Sequence, residues 1–304
     1  MPRFASLVAL SLSLACGTAF AQVKLELKYP PGAKSTTESS VTTNQILTLG
    51  GMDIETKSST FSLASKTIGQ PAEDGTLSVV EKVNVLQTEV GLPGGIKLQF
   101  DSANPEKKAD IPQLEPLMER LRATFTTPVT TILDAERKLK EVRFPEGVAE
   151  SVDASNKSLF DPVKRKKAAE QASGFLPTDA VKPGETWERA TEADFGGGQT
   201  MAFRTRYTYV GTVDQDGKTF DKITAKVFEV SYSVDPSNAA LQVTKSDLKV
   251  TESDATILFD RERGDVDQKT NKLRIQGPLT LNFNGAELDG KLDLTIEDKS
   301  KLQK

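Results

Sequence analysis

The chain has 304 residues, 39 Lys and Arg against 43 Asp and Glu, a net charge of −4, no histidine and a single cysteine, Cys16. Mild acidity gives no global pull toward nucleic acid or anionic lipid. The absence of histidine excludes Ser-His-Asp and Cys-His catalysis and the usual His-containing zinc sites, so no cofactor, no metal and no catalytic residue is expected, and the chain reads as a non-enzyme.

Met1-Pro2-Arg3 is a short positive start, Phe4 to Ala15 is apolar apart from small serines, and Ala19-Phe20-Ala21 has the small-x-small pattern that signal peptidase reads. Residues 1–21 are therefore expected to be a signal peptide, with Gln22 the mature N-terminus and the product secreted or periplasmic. Cleavage would leave 283 residues, ample for a large core. Cys16 is preceded by Ser13-Leu14-Ala15, which holds the places of a lipobox in the wrong order. Ordinary cleavage is favoured, and lipid anchoring at Cys16 is the alternative. No later stretch is long and apolar enough to form a transmembrane segment.

Val23, Leu25, Leu27 and Tyr29 alternate with Lys24, Glu26 and Lys28, which predicts a half-buried first strand ended by Pro30-Pro31-Gly32. Residues 35–68 are rich in Ser and Thr with apolar residues at period two, a pattern of long strands. Leu77, Val79, Val83 and Val85 are expected on one strand face, with Val80, Leu86 and Val90 on the other, and Ile96, Leu98 and Phe100 mark the next strand. Leu114, Leu117, Met118, Leu121 and Phe125 follow helical spacing behind Asp110 and Gln113, which fit a capping box. This predicts a helix near 111–124. A second helix is expected over 162–173, with Asp161 as N-cap, Pro162 in the first turn and Gly174 as a left-handed C-terminal residue.

Beyond Trp187 the pattern is again β. Met201, Phe203, Tyr207 and Tyr209 share one face, and Arg204 and Arg206 the other. Asp216-Gly217 is a hairpin signal. In the last strand Leu288, Leu292, Leu294 and Ile296 oppose Asp289, Lys291, Asp293 and Thr295, with fraying expected from Lys299.

Three landmarks recur in order. Tyr29-Pro30-Pro31-Gly32 resembles Val181-Lys182-Pro183-Gly184; Glu73-Asp74-Gly75 resembles Gln215-Asp216-Gly217; Thr131-Ile132-Leu133-Asp134 resembles the run from Thr256 to Asp260. The expected fold is α+β, predominantly antiparallel β, with two related curved-sheet units and two main helices: 22–150, a helical connector 151–180, and 181–304. One continuous meander whose turns look alike is the competing reading.

Arg263-Gly264-Asp265 reads as a polar turn, and the partial calcium-loop echo at Thr212 to Gly217 as a hairpin. Lys164 to Lys167 is a basic run on the second helix, read as a solvated face. Trp187, Met201, Phe203, Tyr207 and Tyr209 are the candidate ligand-binding residues. A strand face so aromatic is either core or pocket wall, and periodicity does not distinguish the two.

The signal segment, Tyr29-Pro30-Pro31-Gly32, the Leu114/Leu117 helix, Thr131 to Asp134, and Leu176-Pro177 ahead of Val181 to Trp187, taken in order, resemble an uncharacterised family of secreted bacterial (planctomycete-type) proteins. The most specific piece is Pro183-Gly184-Glu185-Thr186-Trp187. The resemblance implies export and carries no activity. A more distant architectural likeness is to periplasmic lipoprotein carriers. The expected function is binding of an apolar or amphipathic ligand such as a lipid, with a structural or protein-interaction module of the cell envelope as the alternative.

Overall fold

The structure is a computed structural model describing residues 22–151, 157, 159–196, 199–234, 241–283 and 286–303. The expected signal peptide and Cys16 lie outside the described residues. The strands are β1 (Lys34–Leu49), β2 (Met52–Ile68), β3 (Leu77–Leu92), β4 (Ile96–Asp101), β5 (Val129–Leu133), β6 (Leu139–Arg143), β7 (Thr186–Gly196), β8 (Gln199–Gln215), β9 (Lys218–Val234), β10 (Leu241–Ser246), β11 (Lys249–Asp260), β12 (Asp265–Phe283) and β13 (Ala286–Leu302). The helices are α1 (Glu115–Thr126), the short α2 (Val148–Ser151) and α3 (Pro162–Ser173). The fold is thus antiparallel β with two main helices, as expected.

All thirteen strands belong to one open sheet of order β6-β5-β3-β2-β1-β13-β12-β11-β9-β8-β7, with β4 added to β3 and β10 to β12. The Ser/Thr-rich stretch forms the β1–β2 hairpin, turned by Gly50 and Gly51 at φ 55° and 83°, the left-handed pair that a two-residue hairpin requires. Asp216 and Gly217 do the same between β8 and β9, at φ 54° and 75°. The sheet passes without a break from residues 34–143 to residues 186–302 through the β1–β13 ladder.

The sheet curls. Met201 on β8 shares a hydrophobic cluster with Leu279 and Leu281 on β12 and Leu292 and Leu294 on β13. Four strand steps separate β8 from β13, roughly 19 Å in a flat sheet, so these side chains meet only because the face between them is concave. At the far ends, α3 packs against both outermost strands of the path, β6 and β7.

Several local expectations are corrected. Residues 23–29 alternate as predicted, with Leu25 buried, but among the described residues their only ladder partner is the bridge Val23–Val181. The segment lies across the sheet, where Leu25 packs with Tyr209, Ile223, Ile257 and Phe259 from three strands, so no strand edge is available to it. In β3 the register shifts between Val83 and Val85. This bulge at Asn84 brings Leu86 onto the face of Leu77 and Val79 instead of the opposite one, and Leu86 packs with Phe100 and Met118 of α1.

The Asp110–Gln113 capping box does not form. Pro112 opens a 3-10 turn ahead of α1, and Glu115 instead accepts a hydrogen bond from the Ala109 N–H at 2.7 Å. Helix α3 has the predicted bounds, and Asp161 Oδ1 accepts from the N–H groups of Val163 and Lys164. Gly174 is not left-handed: its φ is −79°, and its N–H donates to Glu170 O at 2.8 Å. A Cβ there would meet that same oxygen at 2.8 Å, so glycine serves close approach instead of positive φ. Leu288 is exposed, and the C-terminal end is not frayed: β13 runs to a buried Leu302, and the Gln303 N–H donates to Thr36 O.

Arg263-Gly264-Asp265 is a turn held under the N-terminal segment. Gly264 has φ 68°, and its carbonyl accepts from the Lys28 N–H at 2.9 Å. A second close approach lies where the chain entering β11 crosses β12: a Cβ on Gly277 would stand 2.1 Å from Asp247 O. A Cβ on Gly264 would meet Lys28 Cγ, Cβ and N within 2.6 Å, and one on Gly277 only backbone, so neither contact yields cheaply. Gly277→Ala should cost about 3 kcal/mol, read as a lower denaturation midpoint at unchanged m-value.

Candidate functional site

The odd-numbered face of β8 points into the curl, with Met201, Thr205 and Tyr209 buried and Phe203 and Tyr207 half-buried, while Arg204 and Arg206 are exposed. Outside, both guanidinium groups lie over Phe228, 5.1 and 5.0 Å from its ring centroid, and both pair with Glu188. Phe228 is available to them because the β8–β9 register shifts beside it, leaving it without a cross-strand partner.

The five candidate residues divide among three environments. Met201 lines a cavity of about 310 Å³ with Leu47 and Gln45 of β1, Tyr232 of β9, Val243 of β10, Leu248, and Leu279, Leu281, Leu292 and Leu294. Phe203 and Tyr207 line a second cavity of about 220 Å³, whose wall includes Ala225, Ile257, Lys269, Asn271 and Leu273. Trp187 and Tyr209 line neither of these. Trp187 stacks on Tyr207 at 5.7 Å and donates its indole N–H to Phe175 O at 2.7 Å. Tyr209 is 2% exposed in the cluster around Leu25.

The first cavity is apolar, with the Gln45 amide and the Tyr232 phenol its polar groups. Its wall is made mostly of leucines, which sequence reasoning did not single out. Their alternation in β13 was visible, but only the curl brings β1, β8, β10, β12 and β13 around one space. The second cavity, one same-face step along β8, is mixed. Lys269 pairs with Asp298 at 3.4 Å, and the Asn271 amide donates to that carboxylate at 2.8 Å. Apolar surface beside a small polar group suits a ligand with a long apolar part and a compact head.

Two buried carboxylates lie near the Tyr209 end. Asp221 accepts from the Tyr209 hydroxyl at 2.7 Å and from the Arg261 guanidinium through both oxygens. Asp260 is held by Lys218 and by the Arg263 N–H. Burial opposes the ionisation of Asp260, yet the hydrogen bond from Lys218 and that from the Arg263 backbone hold its pKa below the ordinary value. Each carboxylate is occupied by its own cation, so the pair ties β8, β9 and β11 to the following turn. Among the described residues no group of three or more His, Cys, Asp or Glu side chains could hold a metal.

No family profile matches the chain, and no curated protein matches it. Among solved structures, lipovitellin aligns with 91% of the chain at a TM-score of 0.41 and 9% identity; the chain spans only 26% of that protein's length. An outer membrane channel from Pseudomonas putida F1 aligns with 92% of the chain and 98% of its own at 0.24 and 10% identity. A DUF1329 family protein from Desulfovibrio piger aligns with 88% and 85% at 0.12 and 10% identity. All three scores lie below 0.5.

All four tyrosines, Tyr29, Tyr207, Tyr209 and Tyr232, have pKa values raised first of all by burial. For Tyr209 the hydrogen bond to Asp221 and its negative charge add to burial and push the value up to about 12, against the opposing Arg261. A raised folded pKa favours the neutral phenol, so this stabilisation is complete below about pH 10 and is lost as pH rises through about 12. A tyrosinate absorbance titration should therefore lie above that of the unfolded chain, and Tyr209→Phe should remove its latest phase.

Proposed function

We propose that this protein is an exported, non-enzymatic binder of an apolar or amphipathic molecule, a lipid or one of similar shape, held inside the curl of its sheet. The observation that carries the reading is the cavity of about 310 Å³ walled by Leu47, Met201, Val243, Leu248, Leu279, Leu281, Leu292 and Leu294. Its size is at the lower end for small-molecule sites, and its chemistry is the usual one of an apolar wall with a few polar groups. The adjoining cavity at Lys269 and Asn271 gives a polar head somewhere to lie. No helix among the described residues is long and apolar enough to cross a membrane. Export rests on the sequence of residues 1–21, and N-terminal sequencing of the host-made protein should start at Gln22. A lipid-modified start at Cys16 would make the protein an anchored one.

Native mass spectrometry of the protein purified from its own host should show a bound species that organic solvent removes. Val243→Asp places a charge on a half-buried position of the cavity wall, on the short strand β10. It should weaken a fluorescent fatty-acid analogue by roughly tenfold or more, about 1.4 kcal/mol, with a small loss of thermal stability. Absence of both an adduct and probe binding would leave the cavity a packing defect and favour a structural module of the envelope.

A further inference from the structure

Four of the large apolar side chains that stay exposed gather at one rim of the sheet. Met52, 72% exposed, begins β2; Ile54 follows it, Ile96 begins β4, and Leu288 lies near the start of β13. The β1–β2 and β3–β4 turns project from this rim, and β12 ends and β13 begins there, as their registers require. Glycines shape two of the tips: Gly50, Gly51, Gly94 and Gly95 all have positive φ, and a Cβ on any of them would meet nothing within 4 Å. These tips therefore stand clear of the body. The opposite rim is different in kind, with polar turns at Asp74-Gly75, Asp216-Gly217 and Arg261 to Gly264, the last covered by Lys28.

The apolar rim continues the cavity wall. Directly paired residues of an antiparallel ladder share a face. Ile54 is paired with Leu47, and Leu288 with Leu281, both cavity residues; Met52 is paired with Leu49, which packs on the same cluster. Apolar surface thus runs from inside the curl out to the tips. We infer that this rim docks on the surface of a zwitterionic lipid bilayer, inserting Met52, Ile96 and Leu288 among the headgroups beside the cavity mouth. Separate projecting tips suit a fluid layer that closes around each of them better than a preformed protein groove. Charge selects the kind of bilayer: Asp53, Glu55, Glu287 and Asp289 outnumber Lys57, Lys97 and Lys291 along the same stretches, so the rim lacks the basic excess that anionic lipid attracts. The docking stands on the rim alone, and its test needs no bound ligand.

The test is flotation of the exported protein with phosphatidylcholine vesicles. The wild type should float equally at low and high salt, and Met52→Glu combined with Leu288→Glu should lower the partition roughly tenfold or more. Val163→Glu, at the equally exposed apolar residue on α3 (76% exposed), should leave it unchanged. A second measurement does not depend on the double variant. Cys16 is the one cysteine of the sequence, so in protein begun at Gln22 Met52→Cys, Leu288→Cys and Val163→Cys each accept a single environment-sensitive dye. Vesicles should shift emission to the blue at the first two positions and not at the third. Failure of the wild type to float, equal flotation of the glutamate variant, or a shift only at Val163 would overturn the proposal. So would binding confined to anionic vesicles and reversed by salt, which would assign docking to the basic run Lys164 to Lys167.

Discussion

An open sheet leaves two strands with an unpaired row of backbone donors and acceptors, and such edges must be covered or they recruit other chains. Here the outermost strands of the path are β6 and β7, ten strand steps apart, or roughly 48 Å if the sheet were flat. One helix packs on both. Gln171 of α3 accepts from the Glu192 N–H of β7 at 2.9 Å, Lys167 pairs with Glu192, and Arg189 of β7 donates to the carbonyls of Gly174 and Leu176. The helix has no buried residue of its own, so it works as a cover for the seam and not as core. Sharing it obliges the sheet to curl, and the curl creates the interior in which the N-terminal segment and the cavities lie.

The order of strands shows how a cavity arises in that interior. Read along the sheet, β6-β5-β3-β2-β1 is followed, after β13, by β12-β11-β9-β8-β7: the same order with six added to every number. The pattern departs at one place. Strand β4 returns to pair with β3, whereas its counterpart β10 leaves β9 and pairs with β12. That detour crosses Gly277 and brings Val243 and Leu248 into the wall of the larger cavity. The strand that breaks the pattern is the one that helps wall this cavity.

Much of this was legible in the residues. Alternation revealed the strands, and Asp161, Pro162 and Gly174 bounded α3, because those signals are local. The misses are non-local. A one-residue bulge at Asn84 inverts the faces of β3 downstream, and no composition cue marks it. The segment 23–29 has the alternation of a strand because one side meets a core, yet that core is the face of a sheet and not an edge. Met201, Phe203, Tyr207 and Tyr209 share a face as expected, and Trp187 is paired with Tyr207 across the β7–β8 ladder, but packing against three different neighbourhoods divides the five. The wall of the larger cavity draws on strands up to five places apart in the sheet, from Leu47 on β1 to Met201 on β8, so nothing in the spacing of its residues along the chain links them.

β13 is last in chain order among the described strands, yet it sits in the middle of the sheet, antiparallel to β1 on one side and β12 on the other. The first and second runs of strands therefore have no ladder between them until residues 286–302 have been made. A nascent chain can form the β1–β2 hairpin early but must hold the free edge of β1 open while nearly all the remaining sequence is produced. This is contact at the longest range the chain permits, and such closure is slow. Were the chain exported as proposed above, this order would keep the sheet incomplete until the last of the described strands had been made.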